Sequence, residues 1–155
     1  DSLLHEQCAG MGTTLIAALI DDEHFTICHI GDSRVYTFTE TFAMQVTRDH
    51  SYVNVLVDHG EISEEEAQTH PRRHVITKAI GTERKVEPTF YAFQAEKNMY
   101  ILLCSDGLSD KCSAEEIQAI LVRQDELEYQ GRMLVQLAND SGGEDNISLV
   151  LLYNS

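Results

Sequence analysis

Short apolar runs separated by turn residues recur along the chain and predict a series of β-strands. The predicted strands are Gly12–Ile20, Phe25–Ile30, Arg34–Phe38, Phe42–Val46, Val75–Ile80, Glu87–Gln94, Met99–Cys104 and Ile147–Tyr153. Because Gly31, Asp32 and Ser33 make a connection of hairpin length, we expect the second and third strands to pair as a hairpin.

Helical patterns are grouped rather than alternating with the strands. Between Val53 and His70 apolar residues become sparse, and Ser63 to Glu66 resembles a capping box. An amphipathic helix is predicted over Ser113–Arg123, with Ser113 as N-cap, and another over Glu126–Asn139. The residues expected to face the core are Ile117, Ile120 and Leu121 in the former, and Leu127, Leu134 and Leu137 in the latter. This order favours an α+β fold with mainly antiparallel sheets over a doubly wound parallel sheet.

Composition limits the classes of partner. The chain has 155 residues, 43% of them hydrophobic, which suits a single domain over 1–155 with a real core. The formal net charge of −15 argues against nucleic acid and anionic membranes as partners, because both attract basic surfaces. No apolar run approaches the roughly 18 residues that a membrane span needs, and no signal peptide is recognisable.

The four cysteines, Cys8, Cys28, Cys104 and Cys112, lack C-x-x-C spacing, which makes zinc and dithiol redox sites poor hypotheses. Cys28 and Cys104 lie in apolar runs and are predicted to be buried thiols. We therefore expect a reducing, cytoplasmic setting.

Two aspartates stand where apolar strands end or begin. Asp106 follows the run Met99–Cys104, and Asp145 precedes the run Ile147–Tyr153. If these two strands lie antiparallel and adjacent, both carboxylates reach the same sheet edge, where oxygen ligands suit Mg²⁺ or Mn²⁺. Asp-Gly and Asp-Asn are also ordinary turn dipeptides, so a plain turn at each position remains the alternative.

Six short motifs occur in an order typical of one enzyme family. They are Gly12-Thr13-Thr14, Gly31-Asp32-Ser33-Arg34, Thr47-Arg48-Asp49-His50-Ser51, Ala79-Ile80-Gly81, Ser105-Asp106-Gly107-Leu108 with Asp110, and Gly142-Gly143-Glu144-Asp145-Asn146. From about residue 10 to its end, the chain resembles the PP2C-type, metal-dependent protein serine/threonine phosphatases, particularly their compact bacterial branch. Each motif is weak alone, and the six in this order are specific.

The resemblance implies a fold, a site and a reaction. The fold would be an antiparallel β-sandwich flanked by helices, in α-β-β-α layers. Asp106 and Asp145 would bind a pair of Mn²⁺ or Mg²⁺ ions, and Asp32 would contribute to an additional, third ion. The activity would be hydrolysis of phosphoserine and phosphothreonine by direct attack of a metal-activated water. Phosphoproteins modified by a serine/threonine kinase would be the substrates, and the protein would be a monomer.

The chain departs from the family pattern in one respect. An early aspartate on a first strand and a D-G-x-x-G-type segment, which supply further metal ligands, have no match in these 155 residues. The general acid and the phosphate-binding arginine are expected in the same unmatched part. We therefore interpret the chain as the C-terminal two-thirds of a PP2C-like catalytic domain and expect it to be inactive by itself. A degenerate, non-catalytic binding or regulatory module is the alternative function.

Several other polar residues have competing interpretations. Arg34 is expected to be a structural ion-pair partner rather than a phosphate ligand, and His50 to fix the start of residues 51–73, a flap subsegment beside the site. His70 and His74 have i, i+4 spacing, but Pro71 excludes an ordinary helix through them. Asp110 either joins the acidic cluster or caps a helix. The loop Asn139–Asp145 lacks the spacing of an EF-hand calcium site.

Overall fold

The structure, a computed structural model, describes residues 8–123 and 125–155. Seven strands and five helices alternate in groups along these residues. The strands are β1 Leu15–Asp21, β2 His24–Ile30, β3 Arg34–Phe38, β4 Ala43–Gln45, β5 Thr89–Gln94, β6 Met99–Cys104 and β7 Leu149–Asn154. The helices are α1 Tyr52–Asp58, α2 Glu64–Thr69, α3 Asp106–Ser109, α4 Ala114–Leu121 and α5 Leu127–Asp140.

The strands form two sheets in which every pairing is antiparallel, with the orders β1-β2-β5 and β4-β3-β6-β7. The hairpin predicted for the second and third strands is wrong, because β2 and β3 belong to different sheets. The burial of the two strands gives the reason. Residues Val35 to Phe38 of β3 are all buried, as expected for a strand covered on both faces, whereas β2 largely alternates between buried and exposed residues. The three-residue connection 31–33 therefore crosses between sheets.

Two apolar clusters define the layers. One lies between the sheets and includes Phe25, Ile27, Val35 and Ile101. The other lies between the opposite face of the four-stranded sheet and the helices, and includes Phe38, Leu102, Leu108, Ile117, Leu121 and Leu134. The sheet containing β6 is thus buried on both faces. The predicted α+β class with antiparallel sheets is confirmed.

Two helix starts follow the sequence prediction. Ser63 and Glu66 form a capping box before α2, and Ser113 and Glu116 form another before α4. The inward face of α5 agrees with the prediction in part: Leu134 is buried and Leu137 packs against the core, but Leu127, the first residue of the helix, is 40% exposed. Gln130, Leu134 and Ala138 are the fully buried positions, at a spacing of four residues. Gln130 is accommodated there because its Nε2 donates to the Leu121 carbonyl oxygen at 2.8 Å.

The strand predicted over Val75–Ile80 is also wrong. This segment makes only isolated bridges, from Ile76 to Ser51 and from Ile80 to Thr13 and Glu83. Its hydrogen bonds go to separate parts of the chain, so no ladder forms, and Val75 is 48% exposed. Apolar content alone could not distinguish this extended crossing from a strand.

The cysteines agree with the prediction in part. Cys104 is buried, but Cys28 is only partly buried, because it lies between the buried residues Ile27 and His29 of β2 and faces the other side of the sheet; all four cysteines are free thiols. In the described ranges, no helix combines the length and apolar character that crossing a membrane requires.

Candidate metal centre

The strands that carry the two predicted aspartates are neighbours. β6 and β7 pair antiparallel, with Cys104 opposite Leu149. The residues that follow β6 and those that precede β7 therefore meet at one edge of the four-stranded sheet. Asp106 begins the short helix α3 there, and Asp145 lies in the loop that enters β7. The neighbouring antiparallel arrangement expected from the sequence is confirmed.

Ser105 joins the two segments. Its backbone N–H donates to the Ser148 carbonyl oxygen at 3.0 Å, and its hydroxyl Oγ accepts from the Ser148 N–H at 3.0 Å. The same hydroxyl donates to the Asn146 carbonyl oxygen at 3.1 Å. The loop before β7 is thereby fixed against the loop after β6. Sequence reasoning gave Ser105 no such role, since its partners lie more than forty residues away.

Asp106 lies in an environment that disfavours its own charge. Burial of the side chain raises its pKa, and the nearby carboxylates of Asp145 and Asp110 raise it further. Asp32, which is half-buried in the crossing between the sheets, has a pKa raised by burial and then by the Asp106 carboxylate. β3 begins at Arg34, opposite Cys104, so Asp32 lies at the same sheet edge as Asp106 and Asp145, where the negative charges repel one another. A divalent cation would relieve this repulsion.

The chemistry of this donor set fits the implied cation, since carboxylate oxygens are the ligands that Mn²⁺ and Mg²⁺ prefer. The geometry is less complete. Among the described residues, no three His, Cys, Asp or Glu side chains already lie close enough together to hold a metal ion. Additional ligands or a rearrangement of these side chains would be needed for tight binding.

An open basin of about 1200 Å³ lies beside the two aspartates. It is lined by Asp106, Asp110 and Asp145 and by residues of α1, α2 and the segment after them, among them Asn54, Gln68, Arg73 and His74. Asp32 is not among the lining residues. The basin is large and polar enough to admit a charged peptide side chain.

His74 is a residue of this basin that the sequence did not single out as part of the site. Its Nδ1 lies 3.2 Å from Oδ2 of Asp110. His70 and His74 have i, i+4 spacing in the sequence, but the partner of His74 directly follows α3 and cannot be predicted from a local pattern. Asp110 itself is the C-cap residue of α3.

Arg34 forms the ion pair expected of it. Its guanidinium contacts both carboxylate oxygens of Asp49, with Nη2 to Oδ2 at 2.7 Å. Arg34 also donates to the Tyr36 hydroxyl at 3.3 Å. These bonds tie β3 to the segment that leads into α1, which agrees with a structural role. Asp49 thus pairs with Arg34 and not with its neighbour His50.

The family model for protein phosphatase 2C matches residues 3–146. The chain belongs to the protein phosphatase 2C family. It is 39% identical over 143 residues to the serine/threonine phosphatase stp of Listeria innocua, a match that covers 92% of this chain and 57% of that protein. It is 40% identical over 147 residues to the protein phosphatase PhpP of Streptococcus pneumoniae, covering 95% of this chain and 60% of PhpP. This protein phosphatase 2C chain thus spans under two-thirds of the length of these relatives.

Solved structures of protein phosphatase 2C relatives agree with the fold. The serine/threonine phosphatase of S. agalactiae superimposes with a TM-score of 0.93 at 36% identity, covering 98% of this chain and 63% of that one. The catalytic domain of the phosphatase PstP, in complex with two manganese ions, superimposes with a TM-score of 0.81 at 38% identity, covering 97% of this chain and 63% of that one.

Proposed function

We propose that this chain is part of a metal-dependent phosphoprotein phosphatase that hydrolyses phosphoserine and phosphothreonine. The observation that carries the proposal is the meeting of Asp106 and Asp145 at one sheet edge, beside an open polar basin, in a protein phosphatase 2C chain. We assign Asp106 and Asp145 as ligands of a pair of Mn²⁺ or Mg²⁺ ions, and Asp32 as a ligand of a further ion.

Each group of the site has a proposed task. Asp106 and Asp145 hold cations, which when bound would lower the pKa of a water molecule and screen the charge of the phosphate. The basin admits the phosphorylated side chain, and residues of the segment 51–73 line part of it. The Arg34–Asp49 pair keeps β3 in register with the segment before α1. The general acid and the phosphate-binding arginine are assigned to a part of the catalytic domain that these 155 residues do not match.

Substrates and setting follow from the same assignment. Phosphoproteins of a serine/threonine kinase are the proposed substrates, because the relatives are a serine/threonine phosphatase and a protein phosphatase. The free state of all four cysteines supports a reducing, cytoplasmic location. We propose that the protein acts as a monomer.

A second candidate function is a non-catalytic binding module that recognises a phosphorylated partner without turnover. It is favoured by the lack of any preassembled three-ligand group in the described ranges. The presence of both Asp106 and Asp145 favours catalysis. Their like charges repel, and Asp145 helps to raise the pKa of Asp106, an arrangement that a module that only binds does not need.

The test compares two proteins, each with Mn²⁺ and with Ca²⁺. One is this chain, and the other is a fusion that adds the N-terminal portion of the Listeria innocua relative. Hydrolysis of a small aryl phosphate and of a phosphothreonine peptide is measured for each. The phosphatase proposal predicts Mn²⁺-dependent turnover by the fusion and little by this chain. Binding of the phosphopeptide by the fusion without hydrolysis would support the binding module instead.

A further inference from the structure

The connection 31–33, which carries Asp32 between the two sheets, is held on both sides of that residue. On one side, the Gly31 N–H donates to Nδ1 of His50 at 3.1 Å, and the His50 N–H donates to the Gly31 carbonyl oxygen at 2.8 Å. On the other side, the Ser33 carbonyl oxygen lies 2.8 Å from Nε2 of His29. Two histidines therefore fix the residues immediately before and after Asp32.

The partners determine where the ring protons are. A backbone N–H can only donate, so Nδ1 of His50 carries a lone pair and the proton is on Nε2, which donates to the Thr89 hydroxyl at 2.8 Å. A carbonyl oxygen can only accept, so Nε2 of His29 carries the proton toward Ser33. Nδ1 of His29 is then bare, and it is buried without a hydrogen-bond partner. The His50 contact needs a neutral ring protonated on Nε2, and the His29 contact needs a proton on Nε2.

The two rings support each other. His29 is 0% exposed, and its ring centroid lies 4.9 Å from that of His50, with 31° between the planes. Burial lowers the pKa of both rings, which favours the neutral form that the contact of His50 with Gly31 requires. The charged and titratable groups around the pair are Asp49, Lys78 and the ring of Tyr91.

The connection has little room to adjust. Gly31 has φ +107°, and a Cβ atom there would lie 2.3 Å from Cγ2 of Thr14. The Thr14 and Ser33 hydroxyls are 2.9 Å apart and share a hydrogen bond. Thr14, which directly precedes β1, and the histidine pair therefore both contact the residues that flank Asp32.

We propose that His29 and His50 are positioning residues that together hold Asp32 at the edge of the four-stranded sheet that carries Asp106 and Asp145. The inference rests on the proposed function in one respect, the assignment of Asp32 as a ligand. Neither ring is assigned any contact with a cation or a substrate. Their action is through the backbone of Gly31 and Ser33, as in sites where groups outside the ligand set orient a ligand.

A crossed set of substitutions tests this. The side-chain carbonyl of asparagine can take the place of Nδ1 of a histidine, and the side-chain amide of glutamine can take the place of Nε2. At position 50, where Nδ1 accepts, His50→Asn should keep the bond to Gly31 and His50→Gln should lose it. At position 29, where Nε2 donates, His29→Gln should keep the bond to Ser33 and His29→Asn should lose it. Asp32→Asn is the reference for loss of the ligand itself.

Two readouts on the purified chain are compared, Mn²⁺ affinity by electron paramagnetic resonance and hydrogen exchange of the Gly31 amide. We expect His50→Gln and His29→Asn to weaken Mn²⁺ binding about 10-fold to 100-fold, so that their affinity approaches that of Asp32→Asn. His50→Asn and His29→Gln should bind Mn²⁺ nearly as tightly as wild type. Gly31 exchange should be fast in His50→Gln and slow in His50→Asn.

The outcomes separate the inference from the proposed function. Suppose that Asp32→Asn weakens Mn²⁺ binding. The positioning role is then overturned if all four histidine variants bind Mn²⁺ like wild type. It is also overturned if all four lose affinity equally, without the crossed pattern. If Asp32→Asn binds Mn²⁺ as tightly as wild type, the assignment of Asp32 as a ligand fails, and the positioning role fails with it. A crossed pattern in Gly31 exchange and in Mn²⁺ affinity together supports both.

Discussion

Gly107 lies so close to Asn146 that a Cβ atom on it would come within 2.4 Å of the Asn146 carbonyl oxygen. The close approach brings the turn after Asp106 against the turn after Asp145. A side chain at position 107 would therefore separate the two carboxylates that we assign to one pair of cations. The Asp-Gly dipeptide is explained by this contact and not only by turn geometry.

Gly107→Ala should accordingly lower the free energy of unfolding by about 1–3 kcal/mol, the usual cost of overpacking, and weaken Mn²⁺ binding as well. Chemical denaturation and Mn²⁺ titration measure the two effects. Gly131→Ala is the matched control. Gly131 lies inside helix α5, and a Cβ atom on it would make an ordinary contact of 3.6 Å with the Leu149 side chain. This substitution should raise stability by about 0.5–1 kcal/mol. Equal behaviour of the two variants would contradict the role given to Gly107.

Asp106→Asn should affect stability and metal binding in opposite directions. Without added cation it should raise the unfolding temperature, because it removes a partly buried charge that Asp145 and Asp110 repel. With Mn²⁺ it should abolish the stabilisation that the wild type gains by binding. Thermal unfolding with and without Mn²⁺ measures both effects. Asp21→Asn, at the end of β1 and exposed, is the charge-matched control and should change neither.

Acid should destabilise the fold through His50. Burial, with the nearby His29 and Lys78, lowers the pKa of His50 to about 4. The unfolded chain, with an ordinary histidine pKa of about 6.5, therefore takes up a proton that the folded chain resists. This contribution to stability is present above about pH 6.5 and is lost as the pH falls toward 4. His50→Asn, which cannot titrate, should show a shallower fall of unfolding free energy across that interval. Parallel curves for the two proteins would show that His50 titrates normally.

The segment 51–73 should open more readily than the sheets. Helices α1 and α2 have seven and six residues, and each buries one side chain, Val53 in α1 and Ala67 in α2. By contrast, the residues Tyr100 to Leu102 and Cys104 of β6 are buried. Amides between Val53 and His70 should therefore exchange much faster than those of β6. Comparable protection would make this segment part of the core and remove the flap assignment.

A functional consequence can be measured in the fusion with the Listeria innocua portion. Glu65 is an exposed residue of α2. Glu65→Lys should change the preference among phosphopeptides of different charge and leave turnover of a small aryl phosphate nearly unchanged, because only a peptide reaches past the basin to the flap. A parallel loss for both substrates would indicate damage to the site itself.

The predictable part of the site was the part encoded locally. An apolar run ends before Asp106 and another begins after Asp145, which places both residues at one edge if the two strands are adjacent and antiparallel, and β6 and β7 do pair in this way. The sheet to which each strand belongs was not encoded locally. The pattern of β2 and β3 fits a hairpin as well as a crossing, and only burial on both faces of β3 decides between them.

Contacts between distant residues were beyond sequence reasoning for a similar reason. Neither the bond of His29 to Ser33 nor the contact of His74 with Asp110 follows from a periodicity or a motif. Arg34 was expected to have an ion-pair partner, but its identity as Asp49 depends on how the segment after β4 returns to β3. The sequence thus predicted residue types and sheet edges more reliably than partners.

The central claim is that Asp106 and Asp145 share a divalent cation, and a crystal structure of this chain grown with Mn²⁺ tests it most directly. Anomalous scattering from manganese locates the ion without reference to the protein coordinates. We expect a manganese peak within about 2–2.6 Å of carboxylate oxygens from both residues, the range of oxygen ligands to such ions. Manganese bound elsewhere would contradict the shared site. Carboxylates of Asp106 and Asp145 more than about 10 Å apart would contradict it too, because the ions of a binuclear site are only about 4 Å apart.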